Sequence, residues 1–163
     1  MELSGEVFSG YFFEDIPGIQ FISPSALIAL QNQEDSAWKN KIFWINAMDP
    51  ISFCGLGLDK LKGSQPRRLT SSHLVYDGST LVLTSAKNGG SIDIKVEVDH
   101  PSLDKYFDVF RHLLYRDFQA LQKINIIKIN GEPPSNSVYL PSLQKNFEVV
   151  EDHKSIYLQR SLH

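Results

Sequence analysis

The amino-acid sequence predicts an α+β fold, mostly antiparallel β-sheet with one long and two short helices, as a single domain over residues 1–163. Three observations carry that expectation. Asp77-Gly78 stands between the apolar runs of "HLVYDGSTLVLTSA", and Asp-Gly in such a place is a strong hairpin signal. "SIDIKVEV" sets Ile92, Ile94, Val96 and Val98 against Asp93, Lys95, Glu97 and Asp99, the two-residue period of a strand with one wet face. From Pro101 the period changes. Leu103, Phe107, Phe110, Leu114 and Phe118 fall three or four apart, with Asp104, Lys105, Asp108, Arg111 and Arg116 mostly elsewhere on the wheel, which predicts one helix of about five turns.

The other elements follow in chain order. "GEVFSGYFFE" and "GIQFIS" are aromatic and β-branched, with Pro17-Gly18 between them, and read as two strands joined by a turn. Ser23 ahead of Pro24 is a helix cap followed by a proline at the first helical position, and Ala26, Leu27 and Leu30 share a side, so "SPSALIALQNQ" reads as a short amphipathic helix. The polar "NQEDSAWKN" reads as a loop, and the unbroken apolar "KIFWINA" as a strand buried on both faces. Residues 56–72 are the least periodic part of the chain. "NGG" at 88–90 is a further turn, "KINIIKIN" a strand, "GEPPSNS" a turn, "YLPSLQKN" a short helix and "FEVVEDHKSIYLQR" a closing hairpin.

The composition sets bounds on function. Hydrophobic residues make up 42% and charged residues 21%, close to globular averages, which argues against a disordered or fibrous chain. A chain of this size buries roughly two-thirds of the surface its unfolded form exposes, enough for a core without staples. The single cysteine, Cys54, excludes an internal disulfide and leaves too few thiols for a zinc finger; among apolar neighbours it reads as a buried, inert thiol, as suits the reducing cytoplasm. No apolar run has the length of a membrane span and the first residues lack the pattern of a signal peptide, so the expectation is an unexported chain with no membrane contact. With a net charge of −3, any nucleic-acid contact must come from a local patch.

Catalytic motifs give little. The chain contains no G-x-x-x-x-G-K-[ST], H-E-x-x-H or G-x-S-x-G sequence. Gly55 and Gly57 supply only part of a dinucleotide fingerprint, with no helix expected after them. His112 follows Asp108 by one helical turn, a spacing that suits a base and its orienting carboxylate but equally a solvated helical pair. The better candidate is cationic: Lys60, Lys62, Arg67 and Arg68 lie in the irregular segment with only Asp59 opposing them, and long side chains on a loop can reach phosphates. Trp38, Trp44, Tyr11, Phe12 and Phe13 are possible stacking platforms for unpaired bases, although all but Trp38 interleave with aliphatics at strand spacing and read as core.

Three blocks, in order, carry a family resemblance. They are Gly5-Glu6, Gly10-Tyr11-Phe12, Gly18-Ile19-Gln20-Phe21 and Pro24-Ser25-Ala26 in the first; Ala47-Met48-Asp49-Pro50 with Gly55 in the second; and "KINGEPPSNSVYLPSLQKNFEVVEDHKSIYLQR" in the third. Together they resemble the C-terminal part of the helicase core in the large helicase-related (Lhr) family of superfamily 2 DEAD/DEAH-type helicases. Two positions depart from the family pattern: Ser71-Ser72 stand where an Asn-Arg is usual, and Ser52 where an Asn is usual. The resemblance implies a parent ATP-driven 3′-to-5′ translocase that unwinds DNA or RNA–DNA duplexes in DNA repair. Its motor, which binds ATP and Mg, and its winged-helix domain would precede this segment in cis. This chain would be the accessory β-rich domain beside the single-strand track, neither an enzyme nor a cofactor binder by itself. The alternative is a protein-interaction domain that braces the motor or recruits a partner. In either case Asp49-Pro50 reads as a chain reversal, because proline restricts the residues before it and Asp accepts backbone N–H bonds at turns.

Overall fold

The structure, a computed structural model, describes residues 5–14, 16–32, 39, 41–58, 61 and 63–160. Among these residues it is an α+β fold of ten strands and four α-helices, with every strand pair antiparallel but one. The chain divides into two compact units, Met1–Lys39 and Asn40–His163.

In the first unit β1 (Phe8–Gly10) pairs antiparallel with β2 (Gln20–Ile22), as the turn residues between them predict. Gln20 organises the connection. Its Oε1 accepts from the N–H groups of Phe12 and Phe13, both at 2.8 Å, and its Nε2 donates to the carbonyls of Phe13 at 2.9 Å and Ile16 at 3.0 Å. One amide side chain thereby uses two acceptor and two donor positions, its full capacity, on a loop that lacks a ladder of its own. Helix α1 (Pro24–Gln31) begins where the cap predicts, with Ser23 Oγ accepting from Ala26 N–H at 3.2 Å. Its expected apolar face is not buried, however, since no residue of α1 is buried and Ile28 and Leu30 are exposed. Tyr11 and Phe13 are exposed as well, which corrects their reading as core. Trp38 lies outside the described residues.

The second unit is built on a five-stranded sheet. β3 (Ile42–Asn46), β4 (His73–Asp77), β5 (Thr80–Ala86), β6 (Ser91–Ile94) and β8 (Lys128–Ile129) lie in that order, with only β6 and β8 parallel. The Asp77-Gly78 turn joins β4 to β5 with Gly78 at φ 59°, as the sequence requires. β3 is not a central strand but the sheet edge, and its residues are all half-buried; an apolar run alone cannot distinguish the two. One face, carrying Val75, Leu83, Ile92 and Ile94, joins a core with Leu103, Phe107, Phe110, Leu114 and Leu143. Leu74 and Tyr76, at alternate positions, cluster instead with Ala47 and Cys54. Cys54 is fully buried, as expected of a small apolar thiol.

Three further elements differ from expectation. The five-turn helix is two segments, α2 (Leu103–Tyr106) and α3 (Asp108–Tyr115). The apolar stripe is where the sequence puts it, but the backbone tightens at Phe107 (φ −81°, ψ −1°), where Phe110 N–H reaches back three residues to the Phe107 carbonyl. Tyr106 and Phe107 are both completely buried there, and the Tyr106 hydroxyl donates to Asp77 Oδ2 at 2.6 Å. The helix also stops at Tyr115, leaving Phe118 outside it and 77% exposed. "KINIIKIN" is likewise two strands in two sheets: β7 (Lys123–Ile126) pairs with β10 (Ser155–Gln159), and β8 with β6. Gly90 O accepts from both Ile127 and Lys128 N–H at the corner, the place where a strand passes from one sheet to another. β9 (Glu148–Asp152) completes the three-stranded sheet β7-β10-β9 beside α4 (Leu140–Asn146), so the closing hairpin and the short helix are found as predicted. The β6 alternation ends at Ile94, where Asn130 takes over the pairing. Its Oδ1 accepts from Ile94 N–H at 2.6 Å and its Nδ2 donates to Ile94 O at 3.1 Å.

Asp49 is a turn residue. Its Oδ1 accepts from Ile51 N–H at 3.0 Å and its carbonyl from Ser52 N–H at 2.9 Å. Gly55, at φ 80°, takes the left-handed conformation expected of it.

Candidate functional site

The segment after Cys54 walls a groove whose floor is supplied by β5 and β6. Thr84, Ala86, Ser91 and Asp93 form that floor, residues 63–67 one wall, and Lys87, Gly90, Ile127 and Lys128 the far end, enclosing about 720 Å³. The floor residues are small or polar because they occupy alternate positions on β5 and β6 that lie on the sheet face opposite Leu83, Ile92 and Ile94. Four cationic side chains line it: Arg67, Lys87, Lys95 and Lys128. One carboxylate, Asp93, opposes them. All four cationic residues are exposed, so their charges stay solvated and ready to be exchanged for a ligand's. Lys95 Nζ donates to the Ser64 carbonyl at 3.3 Å, which links the strand to the loop across the groove.

The backbone holds Lys87 in an unusual way. Lys87 at φ 55° and Asn88 at φ 54° are both left-handed, ahead of Gly89 at φ 95°. A lysine in that region costs about 1 kcal/mol relative to an ordinary conformation. Asn88 N–H donates to Ser71 O at 2.8 Å and Gly90 N–H to Lys87 O at 3.2 Å, fixing the turn at the lip of the groove.

Of the four cations singled out by sequence, Arg67 lies on this groove. Arg68, its neighbour, lines a separate depression of about 360 Å³ with Phe53, Gly55, Gly57 and Leu58, so the consecutive arginines share only that second surface, where Arg67 stands at the border. Lys60 and Lys62 lie outside the described residues. Lys87, Lys95 and Lys128 were missed by sequence reasoning; only the alternation that puts Lys95 on the wet face of β6 hinted at any of them.

The acid–base candidates are differently engaged. Asp108 is paired with Arg111, not His112, whose ring lies against Trp44 with centroids 4.6 Å apart. Among the described residues no group of His, Cys, Asp and Glu side chains is arranged to hold a metal ion, and no helix is long and apolar enough to cross a membrane. Among the described residues no α-helix follows Gly55 and Gly57 before β4, so none there places a phosphate-binding helix terminus behind the partial fingerprint. No protein-family model matches the chain, and no curated protein matches it either.

Proposed function

We propose that this chain is a non-catalytic nucleic-acid-binding module that holds a phosphate backbone in the groove of Arg67, Lys87, Lys95 and Lys128. The observation that carries the reading is convergence: residues from the loop, the β5–β6 turn, the end of β6 and β8 put four cations on one concavity of a chain whose net charge is −3, with Lys95 immediately after β6. Neutralising phosphates releases counterions, so such a groove attracts a polyanion locally even where the whole chain does not. The resemblance to the accessory domain of Lhr-type helicases supports the same reading and supplies a setting, with ATP-driven motor and winged-helix domains in cis and DNA repair as the process.

Anisotropy titration of a labelled single-stranded oligonucleotide across a salt series tests it. Each phosphate neutralised on a single strand contributes a log–log slope of about −0.7, so four cations give about −3. The triple variant Lys87→Gln, Lys95→Gln, Lys128→Gln is expected to bring that to about −1 and to weaken binding at low salt; an unchanged slope overturns the groove. Lys87→Gly separates function from stability. It relieves a left-handed lysine and is expected to stabilise the fold by about 0.5–1 kcal/mol while weakening binding, a pair of opposite effects visible in one thermal melt and one titration.

A second reading, a surface for a protein partner, has its own observation. Met48, Ile51, Phe53, Leu56 and Leu69 are all about half-exposed or more along the segment that covers the Cys54 cluster. Pull-down of a motor fragment with no oligonucleotide binding at any salt would favour it.

A further inference from the structure

We propose that the chain also carries a base-stacking stripe for single-stranded nucleic acid, running from Arg160 and Tyr115 to Phe118; this rests on the nucleic-acid reading above and adds a second contact to it. The starting point is Phe118. At 77% exposure it is among the most exposed large apolar side chains described, and it lies in the loop that follows α3. Arg116 donates from Nε and Nη2 to the Gln119 carbonyl, at 3.0 and 2.7 Å, Gln119 takes a left-handed conformation at φ 51°, and Leu121 N–H returns to Leu113 O at 2.8 Å. These bonds close the loop on itself with the ring outside. A folded loop that holds a phenyl ring in water presents it without an ordering cost at the moment of binding.

The neighbours alternate rings with cations. The Arg160 guanidinium lies 5.6 Å from the Tyr115 ring centroid, and its Nε donates to Leu114 O at 2.6 Å, which fixes the side chain beside the end of α3. Asp117, next to Phe118 in sequence, is an acid against Arg116 and Arg160. A strand of unpaired nucleotides has the same alternation, flat bases between phosphates, and stacking on aromatic rings requires that the bases be unpaired. The groove cannot distinguish single strands from duplex by charge alone. The stripe can.

The test compares a labelled oligothymidylate with an abasic strand of equal length, which has the same phosphates and no bases, against the full chain. Phe118→Ala is expected to weaken oligothymidylate binding about tenfold, with the salt slope and the affinity for the abasic strand unchanged. Phe118→Trp should keep wild-type affinity and lose fluorescence when bases stack on it. Because Phe118 is exposed, both variants are expected to melt with the wild type, and the melt is recorded with each titration. Equal weakening of both strands by Phe118→Ala, or no weakening of either, overturns the stripe. So does wild-type binding of the abasic strand as tight as that of oligothymidylate, a result that leaves the groove standing. Failure of the chain to bind either strand overturns both proposals.

Discussion

Gly89→Ala is expected to lower the melting temperature by about 5–15 °C. A Cβ built at Gly89 collides with Ile124 Cγ2, and Ile124 is only 1% exposed, packed in the same core as Phe110 and Leu114, so it has no room to yield. Overpacking of this kind costs about 1–3 kcal/mol, and an alanine at φ 95° adds roughly 1–2 kcal/mol of backbone strain. The sum is about 2–5 kcal/mol, a large share of a typical domain's 5–15 kcal/mol, and each kcal/mol moves the melt by about 2–4 °C at this chain length. A double-mutant cycle isolates the collision. In an Ile124→Ala background the Cγ2 atom is gone, so Gly89→Ala should cost only its backbone strain, leaving a coupling of about 1–3 kcal/mol. A melt unmoved by Gly89→Ala would mean that β7 does not pack on the β5–β6 turn as described. The same turn sets Lys87 at the groove, so the variant should weaken oligonucleotide binding too.

Stability is expected to fall as the pH drops from about 7 toward 4, and His73 is the reason. Its ring is 3% exposed; burial first, then the positive charge of Arg116 and the proximity of His112, hold its pKa down to about 4 from 6.5. The hydrogen bonds agree with a neutral ring. Asn46 Oδ1 accepts from Met48 N–H at 2.9 Å, which orients the amide so that Nδ2 donates to Thr70 O at 2.7 Å and to His73 Nε2 at 3.1 Å. Nε2 is therefore the acceptor and the proton is on Nδ1, and a proton added at Nε2 would face the Asn46 N–H group. Above pH 6.5 the ring is neutral whether the chain is folded or not, and the full stability is present. Below that value the unfolded chain takes up a proton that the folded one refuses, so unfolding is favoured by about 1.4 kcal/mol per pH unit until the folded ring titrates near 4. The loss is at most about 3 kcal/mol. Denaturant titrations at about pH 7 and about pH 5 should differ by roughly 2 kcal/mol, and His73→Gln, neutral at every pH, should abolish that difference. Asp104 does not confuse the window: hydrogen bonds from Lys145 and Asn146 hold its carboxyl below the usual range, so its contribution is lost only at still lower pH. A wild-type stability flat between those two pH values would refute the neutral buried imidazole.

Much of the fold is legible in short stretches. Ser23-Pro24 starts α1, Asp77-Gly78 turns β4 into β5, Asn130-Gly131 reverses the chain after β8, and Asp49-Pro50 turns it after β3. Each of these is a matter of backbone conformation and hydrogen bonds within a few residues, which local residue types specify. The apolar stripe of α2 and α3 was legible for the same reason, but their separation at Phe107 was not, because packing two consecutive aromatic rings inside one core is a demand made by the neighbours. The candidate site was legible only as a run of charge. Arg67 belonged to a visible cluster; Lys87, Lys95 and Lys128 each look like ordinary surface lysines until the sheet brings them together.

The sequence by itself determined the turns, the Ser23 cap, the alternation of β6 as far as Ile94 and the α+β class, all consequences of chemistry between near neighbours. Only the tertiary structure decided that β3 is an edge, that "KINIIKIN" serves two sheets, and that four cations share one groove. Those outcomes depend on which strand pairs with which and in what register. A strand's own residues set its period, whereas its neighbours and their alignment are selected by the burial of the whole unit.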